Sequence, residues 1–151
     1  MDKIFETAIF NRKTLVHFLN EMSHEELTKI PENFNNSIFW NIAHILVTQQ
    51  LLIYKLSGLP LNIDNNLVKK YTKGSKATTD ISKEEVTYVK NNLLETVLKT
   101  QEDYNKGIFK NYTKYDTSVN ISLNNIDDSL KFMAFHDGIH LGIILSLKKV
   151  V

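Results

Sequence analysis

The segment SIFWNIAHILVTQQLLIYKLSG, residues 37–58, is apolar around most of its circumference when wound as a helix. A helix of that kind has to be buried on nearly every side, so the rest of the chain must wrap it with amphipathic partners. Three further segments fit that role. Residues 2–22 place Phe5, Ala8, Ile9, Leu15, Leu19 and Met22 close to a 3.6-residue period, and residues 82–107 do the same with Val86, Val89, Leu93, Leu94, Val97 and Leu98. A last helix starts near Asp127 or Asp128 and ends among Lys148 and Lys149, charges that suit a helix N-terminus and C-terminus respectively. Ser23 with Glu26 and Ser82 with Glu85 read as capping boxes, the first opening a short turn of helix closed by Pro31. Asn36 or Ser37 caps the apolar segment, which Gly58 and Pro60 end. This pattern predicts one all-α domain over residues 1–151, with four long helices arranged as a bundle.

Between the second and third long helices, residues 58–80 are polar and lack a sustained period, which predicts a long connection. Loops of that length inside a domain are usually functional or disordered. The stretch TKYDTSVNISLN alternates at Val119, Ile121 and Leu123, as a short half-buried strand or a packed loop would.

Composition removes several classes of function. The chain has 18 Lys plus Arg against 17 Asp plus Glu, a net charge of +1, with no basic stripe for phosphate neutralisation, so nucleic acid is not an expected partner. With no cysteine, thiolate metal sites, disulfides and a cysteine nucleophile are all absent, and any metal must be held by nitrogen and oxygen. The start, MDKIFETAIFNRK, has no uninterrupted apolar signal region, and no run of about 18 apolar residues is evident, so the expectation is a cytoplasmic protein without a membrane segment. Gly74, Ser75 and Lys76 resemble the tail of a phosphate loop, but the upstream glycine and strand are missing, so they read as a turn.

The chemistry concentrates in the histidines. His136 and His140, in FMAFHDGIHLGIILSL, are four apart and lie on one helical face, with Phe132, Met133, Ile143, Ile144 and Leu147 along it. Imidazole nitrogens removed from water need partners, and a shared metal ion would satisfy both rings. His44, in the most apolar helix, offers a third nitrogen from a facing element, as metal sites in bundles are built. Three neutral imidazoles leave coordination positions open for water or substrate, the pattern of a catalytic zinc site. Taken singly, each histidine reads as a hydrogen-bonded core residue, and His17 and His24 read as surface. Asp137 makes HDGIH a relative of H-E-x-x-H, but a peptidase is disfavoured: aspartate is shorter, and successive residues turn about 100° apart on a helix. Asp137 is either a group orienting a ligand or, slightly ahead, a solvated carboxylate. Trp40, one turn from His44, and Tyr71, on the long connection, are the aromatic candidates near the site.

Three segments in this order, NSIFWNIAHIL, YTKGSK and FHDGIHLGII, resemble the DinB-like (YfiT-like) helical bundles over most of the chain. The first matches that family's N-x-x-x-W-x-x-x-H segment and the last its H-x-x-x-H-x-G-Q-I segment. The resemblance implies a four-helix bundle with a long crossover connection and a divalent metal on His44, His136 and His140. Zinc comes first, with nickel, manganese or iron as alternatives. It also implies a small-molecule substrate, a low-molecular-weight thiol among the candidates, thiol-dependent S-transferase chemistry, and a homodimer. A metal-dependent hydrolase is the second reading, and a non-catalytic metal-binding or structural bundle the third. The chain departs from the family at Ile143, where members often carry Gln, and at Asp137, where many carry Glu.

Overall fold

A computed structural model describes residues 1–151. Six helices follow in order: α1 (Asp2–Glu21), α2 (His24–Thr28), α3 (Ile38–Gln49), α4 (Asn65–Tyr71), α5 (Lys83–Asn105) and α6 (Ile126–Leu147). A two-stranded antiparallel hairpin, β1 (Tyr115–Asp116) and β2 (Ser122–Leu123), lies between α5 and α6. The protein is mostly helical, as the periodicity predicts. Of the 12 residues of α3, all but Thr48 are buried, and the helix packs against both α5 and α6. α1 packs against the same two helices.

Local chemistry sets the boundaries. Ser23 and Glu26 form the expected reciprocal capping box. Ser37 caps α3 by accepting from the Trp40 amide at 3.1 Å, and Ser82 caps α5 by accepting from the Glu85 amide. The Ser82 box is only half made, because the Glu85 carboxylate turns instead to the Tyr71 hydroxyl and Lys70. α6 starts slightly earlier than its acidic pair, with Asn125 accepting from the Asp128 amide.

Three features depart from the sequence reading. The connection 58–80 contains α4, opened by Asp64, which accepts from the Asn66 amide at 2.6 Å, and anchored by buried Leu67 and Tyr71 one turn apart. α3 continues as a π-helical segment over Gln50–Lys55, an irregularity with no mark in an apolar run. The stretch 115–123 is a small hairpin in which Leu123 is buried while Val119 and Ile121 are exposed. In addition, α6 is 22 residues long with a mean hydropathy of 1.3 over 18 residues, long and apolar enough by those measures to cross a membrane, contrary to the expectation above. It packs on α1 and α3 through one side, and 28% of that 18-residue window is buried.

The core stripe of α6 also differs from the one expected. Ser129, Leu130, Met133, Asp137, Ile144 and Leu147 are the buried set, while Ile143 is exposed. His136 and His140 sit at the edge of that stripe and are only partly buried.

Candidate metal centre

The three histidines converge between α3 and α6. Ring centroids are 5.2 Å apart for His44 and His136, 4.8 Å for His44 and His140, and 4.4 Å for His136 and His140. One ring nitrogen of each lies within 4.8 Å of the other two. His44 is buried, and the α6 pair is more open.

The surrounding groups fix which nitrogens are free. His44 Nδ1 lies 2.7 Å from the Tyr71 carbonyl oxygen, which can only accept, so Nδ1 carries the proton and Nε2 keeps its lone pair. That carbonyl is one of those left without an intrahelical partner at the end of α4. The Thr48 hydroxyl, 3.3 Å from His44 Nε2, donates to it. The Asn41 amide nitrogen donates to the Ser37 carbonyl at 2.8 Å, which turns Asn41 Oδ1 toward His140 Nδ1 at 2.8 Å and fixes the same tautomer there. Trp40 stacks on His44 with centroids 4.7 Å apart and planes 12° apart, and its indole N–H donates to Ser75 Oγ. His136 Nδ1 is buried without a partner.

Electrostatics keep the cluster neutral. Burial, then the neighbouring imidazoles, push His136 down to about 3, and the same causes push His140 down to about 4. His44 is lowered by burial against the raising effect of its Tyr71 bond. Neutral rings, two Nε2 lone pairs, that of His44 met here only by the rotatable Thr48 hydroxyl, and one unsatisfied nitrogen form the donor set a divalent cation takes, so the group can hold a metal ion.

A cavity of about 270 Å³ opens beside His44 and His136. Leu51, Leu52, Leu56 and Phe132 give it an apolar wall. Thr72 and Lys73, just beyond α4, form part of another side, so the long connection does border the site. The π-helical turn carries Lys55 to its edge, and Thr117 and Ser118 of the hairpin complete it.

The expected neighbours divide. Trp40 touches His44 by its ring, and Tyr71 acts through its backbone, its hydroxyl being bound to Glu85. Asp137 is corrected: it is neither solvated nor bonded to a histidine, but 1% exposed and paired with Arg12, itself 0% exposed, at 3.2 Å. Burial nonetheless pushes Asp137 up to about 6, against the pull of Arg12. Sequence reading missed Arg12, although it falls in phase with Phe5, Ala8, Leu15 and Leu19, all buried on α1. Asn41, which holds His140, is an amide inside the largely apolar run IFWNIAHILV and so is itself a signal in the sequence.

The family model described as the DinB superfamily matches residues 9–144, which include all three histidines and reach into all four long helices. No curated protein matches the chain.

Proposed function

We propose that this chain, which belongs to the DinB superfamily, is a cytoplasmic metal-dependent enzyme of the thiol-dependent transferase type. Its four long helices form a bundle with residues 58–80 as the crossover. His44, His136 and His140 hold one divalent ion, zinc before nickel, manganese or iron. The observation that carries this reading is a neutral three-nitrogen cluster beside an open cavity, where a purely structural site would be closed. When bound, the ion supplies the positive charge that favours the thiolate over the thiol.

The protein's own residues do the rest. Tyr71 and Trp40 hold the His44 ring and Asn41 holds that of His140, so neither has to reorient on binding. The leucine wall and Phe132 exclude water from the body of an electrophilic substrate. The thiol releases its proton to solvent through the open cavity, the thiolate sulfur then forms a bond to the electrophilic carbon, and the leaving group departs with the bonding pair. No Asp or Glu lines the cavity, so hydrolysis would lack a carboxylate base, which favours thiol transfer over the hydrolase reading. Conjugation of a cysteine-based thiol to an activated aryl halide is expected to be accelerated by the wild type and to return to the uncatalysed rate in His44→Ala. Ester turnover without thiol, and no conjugation, would reverse the preference.

The same reading includes a homodimer through α6. Its exposed side carries Phe135, Ile139 and Leu145, and a Cβ added at Gly138 or Gly142 would meet nothing within 4 Å, so a partner backbone has room to approach. Antiparallel pairing about a two-fold axis near Ile139 sets Asp128 of one copy near Lys149 of the other, complementary at both ends. Sedimentation is expected to find a dimer that Phe135→Lys with Ile139→Lys converts to monomer; a monomeric wild type would remove this interface.

A further inference from the structure

The charge around the cavity is one-sided. Its lining contains two lysines, Lys55 and Lys73, and no carboxylate. Neither lysine makes an ion pair, and both are exposed. The nearest acidic residue along α6, Asp137, is buried and already committed to Arg12. Three neutral imidazoles contribute no negative charge either. A divalent ion bound there would bring two positive charges that the protein does not balance. Partly desolvated charge of this kind is strongly disfavoured unless paired, so the balancing anion must arrive with the ligand.

The lining offers two kinds of partner for such charge, imidazole nitrogens and lysine ammonium groups. His44 and His136 line it from α3 and α6, and Lys55 and Lys73 from the end of the π-helical turn and just after α4, with Lys73 near enough to His44 for its charge to lower that imidazole. The Thr72, Thr117 and Ser118 hydroxyls supply neutral donors to the same space, beside the leucines and Phe132. A cavity of about 270 Å³ suits a small metabolite rather than a peptide or polymer.

We propose that the site selects a small molecule with two anionic groups, one directed to the histidine centre and a second, carboxylate or phosphate, held by Lys55 and Lys73. The first half rests on the metal reading above; the lysine subsite does not. Lysine is suited to the second role as a flexible point charge that meets carboxylate or phosphate alike.

Calorimetric titration of zinc-loaded protein with succinate, butyrate, butylamine and 3-phosphoglycerate tests this, with zinc content measured in parallel. Succinate and 3-phosphoglycerate, the two probes with two anionic groups, are expected to bind more tightly than butyrate, and butylamine not at all. The double variant Lys55→Gln, Lys73→Gln is expected to lose roughly 10-fold or more in affinity for the probes with two anionic groups, the loss of a charge-assisted hydrogen bond. It should leave butyrate binding and zinc content unchanged. Comparing succinate with 3-phosphoglycerate shows which anionic group the lysines prefer. Binding of those two probes unaltered in the double variant, or butylamine binding as well as succinate, would overturn the subsite. The same titrations on metal-free protein separate the two ideas: a lysine-dependent preference for two anionic groups there supports the subsite even if no zinc is held.

Discussion

Arg12→Met is expected to destabilise the fold by about 3–5 kcal/mol at pH 7, the usual consequence of leaving one member of a buried ion pair without its partner. In a domain of this size that lowers the Tm by roughly 6–20 °C. Arg12 and Asp137 join α1 to α6 at 3.2 Å, both essentially without exposure. Arg12 also donates to Gln49 of α3 at 3.3 Å, and Gln49 donates to the Thr96 carbonyl and the Thr100 hydroxyl of α5. One side chain therefore ties all four long helices through polar contacts that have no water to replace them. Once Arg12 is gone, Asp137 escapes by protonation, since burial already pushes it up to about 6. The folded variant then binds a proton that the unfolded chain releases above its ordinary carboxylate range, so stability falls as pH rises and the deficit is smaller at pH 5 than at pH 7. Adding Asp137→Leu removes the stranded charge and is expected to recover most of the loss. Urea midpoints at the two pH values measure this; a single variant within about 1 kcal/mol of wild type would show that the pair is dispensable.

That pair also marks the limit of what the sequence makes legible. The helices, most of their caps and the convergence of three histidines follow from period and spacing, because burial of apolar stripes determines which faces meet. Polar residues inside those stripes are harder. Arg12 and Asp137 occupy core phases on α1 and α6, but a charged residue in phase reads as a surface residue until its opposite number is known, and the two are far apart in the chain. Register on α6 shows the same effect. The sequence period puts the histidine face inside, whereas the buried stripe runs through Asp137 and leaves His136 and His140 at its edge, with His136 open to the cavity. α4 was missed because its seven residues bury little more than Leu67 and Tyr71, too few for a period to emerge. Yet its last carbonyl, from Tyr71, fixes the His44 tautomer.

Protein purified without a metal-affinity tag is expected to carry one divalent ion per chain, and His44→Ala or His136→Ala to fall close to none after dialysis. The expected ordering of variants comes from the contacts. Removing a histidine deletes a donor, whereas Asn41→Ala removes only the acceptor that holds His140 Nδ1–H, and is expected to weaken the metal about 10–100-fold. Acid gives an independent check. An exposed imidazole loses its metal to protons as pH falls through the ordinary histidine range, but His136 is held down to about 3 and His140 to about 4. Metal retention should therefore be nearly flat from pH 7 to pH 5 and fail only toward pH 4. In the metal-free protein the same shifts act on stability: below about 6.5 the unfolded chain takes up protons that the fold refuses. The histidine contribution is thus present above that pH and lost as pH falls toward 3–4, and His136→Ala flattens the slope. Elemental analysis across this pH range, beside urea midpoints of the metal-free forms, separates the outcomes. A wild type without stoichiometric metal, or one that keeps its metal after His136→Ala, would remove the three-histidine centre as the basis of this protein's chemistry.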